Sequence, residues 1–213
     1  MFQIDRRVFL TASAGCALAL RPSGAFAQSV DTDELHAPGQ LGEKALGSPD
    51  APVTVVEYAS FTCPHCATFH NDVFGDFSLK YIDSGKVRFI MREYLRNGPD
   101  VAVSAVARCA PADRYFEVID LYFATQQEWS RATDLRQAIL DKAMEVGFTE
   151  ESFNACLSNS ALFEAFDANM ARAASFGVTG TPTFFVNGEK HVGALPLTEW
   201  DAIIEPLLAT LDP

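Results

Sequence analysis

The sequence predicts one α/β domain that is interrupted by an all-helical insertion. Residues 53–94 contain a strand, a helix and a second strand with short joins, which is the order of a parallel βαβ unit. From residue 97 to residue 176 the hydrophobic pattern is helical throughout, and strand character returns at residues 183–192. Neither α/β part is long enough to close a core alone, so the two parts are expected to form one domain.

Composition and charge exclude several classes of protein. Of the 213 residues, 48% are hydrophobic, which is enough for a sizeable core and excludes a disordered chain. The net charge of -12 would repel a phosphate backbone or an anionic membrane. Nucleic acid is therefore not an expected partner.

Residues 1–27 predict an export signal. The arginine pair Arg6 and Arg7 precedes an apolar run and then a stretch of small residues that ends at Ala27. The segment around this pair resembles a twin-arginine signal, a type that carries folded proteins. The apolar run is broken at Arg21 and is shorter than the roughly 20 residues of a membrane span, which favours cleavage over a retained anchor.

The chain has five cysteines, and the first lies in this signal. Cys16 follows a small-residue run that suggests a lipoprotein cleavage site, but Ser13 stands where such sites have leucine. Loss of Cys16 with the signal is the favoured interpretation. The four that remain are Cys63, Cys66, Cys109 and Cys156, and an even number in an exported chain indicates disulfides.

The first half of the α/β part follows a polar leader. Residues 28–42 show no period and are expected to be loose, with the fold beginning at residue 43. The β-branched run Val53–Tyr58 predicts a strand in which Glu57 is the one charged residue, and Val87–Tyr94 predicts a second. The helix between them carries apolar side chains at steps of four: Phe69, Val73, Phe77 and Tyr81.

Turn and capping residues mark the ends of the predicted elements in the insertion and in the second α/β part. Five helices are predicted over residues 100–109, 112–127, 133–146, 149–157 and 159–176, and Thr133 and Thr149 are expected to be N-caps. The pair Asn187–Gly188 predicts a tight hairpin turn between two short strands, 183–186 and 190–192. A last amphipathic helix is predicted at residues 198–211.

The motif Cys63-Pro64-His65-Cys66 lies where the first strand meets the helix. Free backbone N–H groups and the helix dipole stabilise an anion there, so the pKa of Cys63 is expected to be lowered, and protonated His65 would lower it further. Cys66, one turn further on, is the expected resolving thiol. A stable thiolate favours the dithiol form, which makes the disulfide oxidising.

Two other interpretations of this motif are open. A purely structural disulfide would constrain very little chain. Cys63, Cys66 and His70 also have metal-ligand spacing, but a closed site needs a fourth ligand, and the other histidines are His36, His65 and His191. Redox chemistry is favoured, and no metal is expected.

These residues resemble the DsbA family of thioredoxin-like thiol-disulfide oxidoreductases. Residues 63–66 resemble its redox motif, residues 180–188 resemble its cis-proline loop and hairpin, and the helical stretch resembles its inserted domain. The resemblance implies a thioredoxin-like domain formed by residues 43–96 and 177–213, with an all-helical insertion at residues 97–176.

The resemblance also implies site roles. Cys63 is the attacking cysteine, Cys66 the resolving one, and Pro64 and His65 set the redox potential. Pro182 is implied to be cis and to stack near the disulfide, with Thr181 offering backbone groups to an extended substrate peptide. An ordinary trans turn at Thr181–Pro182 is the alternative.

Glu57 matches the family's buried acidic residue six positions before the nucleophile. It would accept the proton of Cys66 when that thiol attacks the mixed disulfide. The alternative is an exposed residue at the end of a strand. Arg92 on the neighbouring strand is a possible ion partner.

Cys109 and Cys156 resemble the extra disulfide that some bacterial members carry in the helical domain. Closing the loop between them would contribute about 4 kcal/mol in the chain-entropy model. Two buried free thiols are the alternative.

The expected protein is a periplasmic monomer that introduces disulfides into unfolded or newly exported cysteine-containing proteins through Cys63. Its redox-active disulfide serves in place of any cofactor, and a membrane-bound, quinone-linked partner would reoxidise it. No dimerisation domain precedes the motif, which favours an oxidase over a reductase or isomerase. A periplasmic peptide- or metal-binding chaperone without redox turnover is the alternative from another class.

Overall fold

A computed structural model describes residues 30–210. The predicted export signal, Cys16 and the end of the last predicted helix lie outside the described residues. Helix α1, Thr32–His36, comes first, and the Asp31 side chain caps it. Leu35 of α1 is fully buried, and the N–H of Val30 donates to the carbonyl of Gly188 at 3.2 Å.

The expectation of a loose leader over residues 28–42 is therefore wrong for its described part. Arg92 donates to the carbonyls of Leu35 and Ala37 at 2.7 and 3.1 Å, which holds the end of α1 against the sheet. One buried leucine and these backbone contacts were enough to order a segment that has no hydrophobic period.

The strands form one mixed sheet in the order β1-β3-β2-β4-β5. The pair β2 and β3 is parallel, and the other neighbours are antiparallel. The parallel pair confirms the predicted βαβ unit. The strands are β1 Ala45–Leu46, β2 Val53–Ala59, β3 Val87–Glu93, β4 Thr183–Val186 and β5 Glu189–Val192.

The helical segment between β2 and β3 contains two π-helical turns. It consists of α2, Pro64–Thr68, a π turn at Phe69–Val73, α3, Phe74–Phe77, and a π turn at Ser78–Ile82. An α-helix has 3.6 residues per turn, so side chains at steps of four would drift around it, whereas a π turn accommodates more residues. The π turns therefore keep the predicted apolar row on one face, and Phe69, Phe77 and Tyr81 are fully buried.

The insertion is helical as predicted, with different boundaries. Its helices are α4 Gly98–Cys109, α5 Tyr115–Ala124, α6 Gln126–Trp129, α7 Leu135–Glu145, α8 Glu150–Leu157 and α9 Ser160–Ser175, with a 3₁₀ turn at Ala112–Arg114. Thr149 caps α8 as expected. The N-cap of α7 is Asp134, not Thr133, because the Asp134 carboxylate accepts from the N–H of Gln137. The single helix predicted over 112–127 is broken at Thr125, which separates α5 from α6.

Helix α10, Leu197–Ala209, completes the described fold. Trp200 and Ile204 on its inner face are fully buried against the sheet. Between residues 30 and 210, no helix combines the length and apolar character needed to cross a bilayer.

The core has two sides, which the sheet separates. One cluster covers the face under α2, α3 and α10 and continues into the insertion; it includes Phe69, Phe89, Tyr122, Phe123, Phe184 and Trp200. The other covers the opposite face under α1 and α9; it includes Leu35, Val56, Tyr58, Ile90, Phe176 and Phe185. Insertion and sheet thus share one hydrophobic core.

A buried ion pair also joins the sheet to the insertion. Glu93, at the end of β3, accepts from Arg108 of α4 at 2.5 and 2.8 Å and from the Tyr115 hydroxyl of α5 at 2.7 Å. The side chains of Glu93 and Arg108 are 0% and 5% exposed, so the carboxylate depends on these donors.

Candidate active site

The Cys63–Cys66 motif is placed at the start of α2, directly after the loop that leaves β2. Cys63 is the N-cap of α2, and Pro64 is its first residue. Both cysteines are free thiols; Cys63 is 4% exposed and Cys66 is fully buried. Pro64 and His65 are exposed. The motif therefore presents one accessible edge above a buried second thiol.

The pKa of Cys63 is lowered from 9.0 to about 5. The hydrogen bond from the Cys66 thiol is the largest cause, followed in the same direction by contact with Thr181 and by the backbone N–H groups of Cys66 and His65, while burial opposes them. The helix-start N–H groups act as predicted. His65 contributes its backbone N–H, whereas its imidazole points into solvent.

The pKa of Cys66 is shifted in the opposite direction. Burial is the main cause, and the charges of Cys63 and Glu57 raise this pKa further. At neutral pH the pair thus holds a thiolate on Cys63 and a protonated thiol on Cys66. This asymmetry suits Cys63 to nucleophilic attack and makes it a good leaving group.

The loop before β4 lies directly against Cys63. The Thr181–Pro182 peptide bond is cis, and the Sγ of Cys63 lies 3.2 Å from the carbonyl oxygen of Thr181. Residues 118 positions apart in the chain are thus in contact at the site.

Glu57 lies beneath the motif and is fully buried, so it is not an exposed end of a strand. Its partner is His70, whose Nε2 lies 2.8 Å from Oε2 of the carboxylate. The suggested pairing with Arg92 is wrong. Arg92 is opposite Tyr58 in the register, one residue along from Glu57, and neighbouring residues of a strand point to opposite faces.

Gln126 of α6 positions the loop from the insertion side. Its side-chain amide, 7% exposed, donates to the carbonyls of Phe61 and Cys63 at 2.7 and 2.9 Å. Both carbonyls belong to the turn that sets the position of the Cys63 sulfur. Sequence reasoning missed Gln126, because its helix could not be placed against the motif from spacing alone.

Asp100, in the first turn of α4, holds the same loop from another side. Its buried carboxylate accepts from the Ser60 hydroxyl at 3.0 and 2.9 Å and from the Thr62 N–H and hydroxyl at 2.8 and 3.0 Å. The N–H of Arg96 adds a donor at 3.0 Å. The turn residues before Asp100 indicate a helix start, but nothing in the sequence indicates this contact.

We expect Gln126→Ala to slow the reaction of Cys63 and to destabilise the fold by about 2 kcal/mol, because it removes the side-chain donor to the Phe61 carbonyl and one of the two donors to the Cys63 carbonyl, which also accepts from the N–H of Ala67. The measurement is the alkylation rate of Cys63 together with urea unfolding. Gln127→Ala is the matched control, since Gln127 is exposed on the same helix. Equal behaviour of the two variants would contradict a positioning role for Gln126.

A groove of about 350 Å³ lies beside the motif, between α2 and the helices α5 and α6. Its lining includes Pro64, Ala67, Asn71, Phe123 and Gln126. Within residues 30–210, no three side chains of His, Cys, Asp or Glu are grouped so that they could hold a metal ion.

The second cysteine pair forms a disulfide in the insertion. Cys109 at the end of α4 is joined to Cys156 of α8, with their Cα atoms 6.2 Å apart. The bond closes a loop of 47 residues and lies within a small cluster with Ala105 and Phe166. It is separate from the Cys63–Cys66 motif and leaves those two thiols as the reactive pair.

Known proteins are similar to this chain in sequence and in fold. A thioredoxin family model matches residues 40–206. A Rickettsia bellii protein whose name assigns it to the protein-disulfide oxidoreductases is 36% identical over 150 residues, which cover 68% of this chain and 57% of that protein. The chain thus spans little more than half the length of this relative.

Two solved structures are similar in fold. Alpha-DsbA1 of Wolbachia pipientis has a TM-score of 0.72 at 27% identity, covering 79% of this chain and 92% of its own. Oxidised BdbD of Bacillus subtilis has a TM-score of 0.71 at 22% identity, covering 81% and 96%. Together with the family match and the site geometry, these similarities lead to one conclusion: the chain belongs to the thioredoxin family, among its DsbA-like protein-disulfide oxidoreductases.

Proposed function

We propose that the protein is a thiol oxidase that transfers its Cys63–Cys66 disulfide to other proteins. The observation that carries this proposal is the opposite shift of the two thiol pKa values, lowered to about 5 for Cys63 and raised for Cys66. A thiolate stabilised at neutral pH favours the dithiol form, so the disulfide is the reactive form.

The exchange runs in two steps. A substrate thiolate attacks the Sγ of Cys63, the Cys63–Cys66 bond breaks, and Cys66 leaves as a thiolate that takes up a proton. A second thiolate of the substrate then attacks its own sulfur in the mixed disulfide, and Cys63 leaves as a stable thiolate. The substrate loses two electrons, and the cysteine pair gains them.

Thr181 and Pro182 are the proposed binding edge for the substrate. The carbonyl of Thr181 lies beside the Cys63 sulfur, where the backbone of an extended peptide can pair with it. Pro64 and His65, which are exposed at the helix start, complete the contact surface and tune the potential.

The setting of the reaction belongs to the same proposal. The export signal predicted over residues 1–27 would deliver the protein to the periplasm, and its substrates would be newly exported proteins with free cysteines. A membrane-bound redox partner would reoxidise the dithiol. If the Cys63–Cys66 pair were kept reduced, the same fold would act as a reductase or isomerase. A chaperone without redox turnover would leave the redox state of the proteins it binds unchanged.

The redox potential separates these functions. A Cys63 pKa of about 5 instead of 9.0 stabilises the dithiol at pH 7 by about 2.7 kcal/mol, since only the two pH units between 5 and 7 count. That corresponds to a potential about 60 mV above that of a pair with an ordinary nucleophile. Equilibration in glutathione buffers, followed by thiol trapping, measures it.

The pH dependence of Cys63 alkylation tests whether a low pKa of Cys63 is the cause of the raised redox potential. We expect the rate to stay high from pH 8 to pH 6 and to fall through pH 5, as the thiolate is protonated. A redox potential at or below the thioredoxin level, with an alkylation midpoint near pH 9, would contradict the oxidase function and indicate a reductase.

A further inference from the structure

The carboxylate of Asp100 connects the insertion to the turn before Cys63 through both of its oxygens. Asp100 lies in the first turn of α4 and is fully buried. Its Oδ1 accepts from the N–H of Thr62 at 2.8 Å, and its Oδ2 accepts from the N–H of Arg96 at 3.0 Å. A backbone N–H can only donate, so both oxygens must act as acceptors. An asparagine, with one acceptor oxygen and one NH2 group, cannot satisfy both contacts.

Hydroxyl groups complete this contact. The Ser60 hydroxyl lies 3.0 and 2.9 Å from the two carboxylate oxygens, and the Thr62 hydroxyl lies 3.0 Å from Oδ2. The side chain of Asn97 donates to the Thr62 hydroxyl at 2.9 Å and accepts from the N–H of Asp100 at 3.0 Å. Asp100 thus holds two of the three residues that lie between β2 and Cys63.

Residues 60–62 form the turn that determines where the Cys63 sulfur faces. The N–H of Cys63 donates to the carbonyl of Ser60 at 3.1 Å, which closes the turn. The middle residue, Phe61, is buried and stacks on Phe123 of the insertion with ring centroids 5.0 Å apart. Every residue of the turn is therefore in contact with the insertion.

We propose that Asp100 is a positioning residue for thiol-disulfide exchange, which acts from the insertion by fixing residues 60–62 and with them the direction of the Cys63 sulfur. The proposal rests on the oxidase function stated above and adds a residue outside the α/β part on which that function depends. In the described structure Asp100 makes no hydrogen bond to either sulfur of the motif, so its effect on them passes through the turn.

The sign of the expected effect separates positioning from charge. A carboxylate near a thiolate repels it, so a role through charge predicts that removal of Asp100 lowers the pKa of Cys63. A role through position predicts the opposite. Hydrogen bonds weaken steeply when their distance or angle changes, so a displaced sulfur loses its contacts with Cys66, with Thr181 and with the N–H groups of the helix start. The pKa of Cys63 then rises from about 5 toward 9.0.

The test is the pH dependence of Cys63 alkylation in the reduced, full-length Asp100→Asn protein. Limiting iodoacetamide followed by peptide mass spectrometry separates the reaction of Cys63 from that of Cys66. We expect the midpoint to rise by about one pH unit from its value near 5. The equilibrium with glutathione at pH 7 should then move about ten-fold toward the disulfide, which is a potential about 30 mV lower.

Glu93→Gln is the matched control. Glu93 is an equally buried carboxylate that joins the sheet to the insertion, through Arg108 and Tyr115, and its side chain makes no hydrogen bond to residues 60–63 in the described structure. We expect this variant to unfold at a lower urea concentration than the wild type and to keep the Cys63 midpoint near 5.

Thr62→Val provides a second, milder variant in case Asp100→Asn does not fold. It removes one hydroxyl that contacts Asp100 and keeps the branched shape of the side chain. We expect a smaller rise of the Cys63 midpoint in Thr62→Val, and a rise in the double variant that is less than the sum of the two, because the residues belong to one network.

Three results would overturn the proposal. A Cys63 midpoint that is unchanged in Asp100→Asn and in Thr62→Val would reduce Asp100 to a role in stability, and a lower midpoint would assign its effect to charge. An equal rise in Glu93→Gln would make the shift a general result of a loosened insertion. Failure of the oxidase function itself would be visible separately, as a wild-type potential at or below the thioredoxin level.

Discussion

Replacement of Cys63 with serine is expected to abolish disulfide transfer, because the mixed disulfide forms on this sulfur and both bonds that break in the exchange involve it. A serine hydroxyl at the same helix start is not ionised at neutral pH and forms no disulfide. We expect turnover to fall by on the order of 10³-fold or more. Oxidation of a dithiol peptide, followed by mass spectrometry, measures the loss.

Replacement of Cys66 has a different expected result. Cys66→Ser keeps the nucleophile but removes the thiol that resolves the adduct, so a disulfide peptide should remain attached to Cys63. Cys66→Ala also removes the largest cause of the low Cys63 pKa, and its alkylation midpoint should lie above 5. An adduct on Cys66 in the Cys63→Ser protein, with turnover retained, would contradict the assignment of the two roles.

Removal of the second disulfide has the largest expected effect on stability. The double variant Cys109→Ala/Cys156→Ala frees a loop of 47 residues in the unfolded chain and is expected to lower the free energy of unfolding by about 4 kcal/mol. The loss is large compared with the total stability of most domains. Urea unfolding of the oxidised proteins measures it.

The active site provides the control for this variant. Cys109 and Cys156 make no contact with the motif in the described structure, so the alkylation midpoint of Cys63 should stay near 5 while the urea midpoint falls. A loss of stability below about 1 kcal/mol would mean that the insertion is held by its core packing alone.

Most secondary-structure elements and the cysteine motif could be predicted from the sequence, because hydrophobic period, turn residues and helix caps are local signals. Thr149 and the run 183–186 were placed correctly for that reason. Thr133 failed as a cap because Asp134, one residue later, competes for the same role with a carboxylate. Segment 30–37 was missed because its order depends on contacts with Arg92 and Gly188, which are distant in the chain.

The same difference between local signals and long-range contacts applies to the residues of the active site. The roles of Cys63 and Cys66 and the thiolate on Cys63 follow from the motif and from its place at a helix start. The partner of Glu57 did not follow, since it depends on the sheet faces that the side chains of Glu57 and Arg92 take and on where the helical segment places His70. Gln126 and Asp100 act through tertiary contacts with backbone groups, and a sequence carries no mark of them.

The contacts around Cys63 have a consequence for the order of events during synthesis. The groups that shape its loop come later in the chain: Gln126 is 63 residues downstream and Thr181 is 118. A growing chain that does not yet contain Gln126 and Thr181 carries the cysteine pair without these contacts. Its thiols then have the ordinary chemistry of thiols in a flexible peptide. The reactive form of Cys63 thus arises when the chain is nearly complete, which couples the onset of reactivity to successful folding.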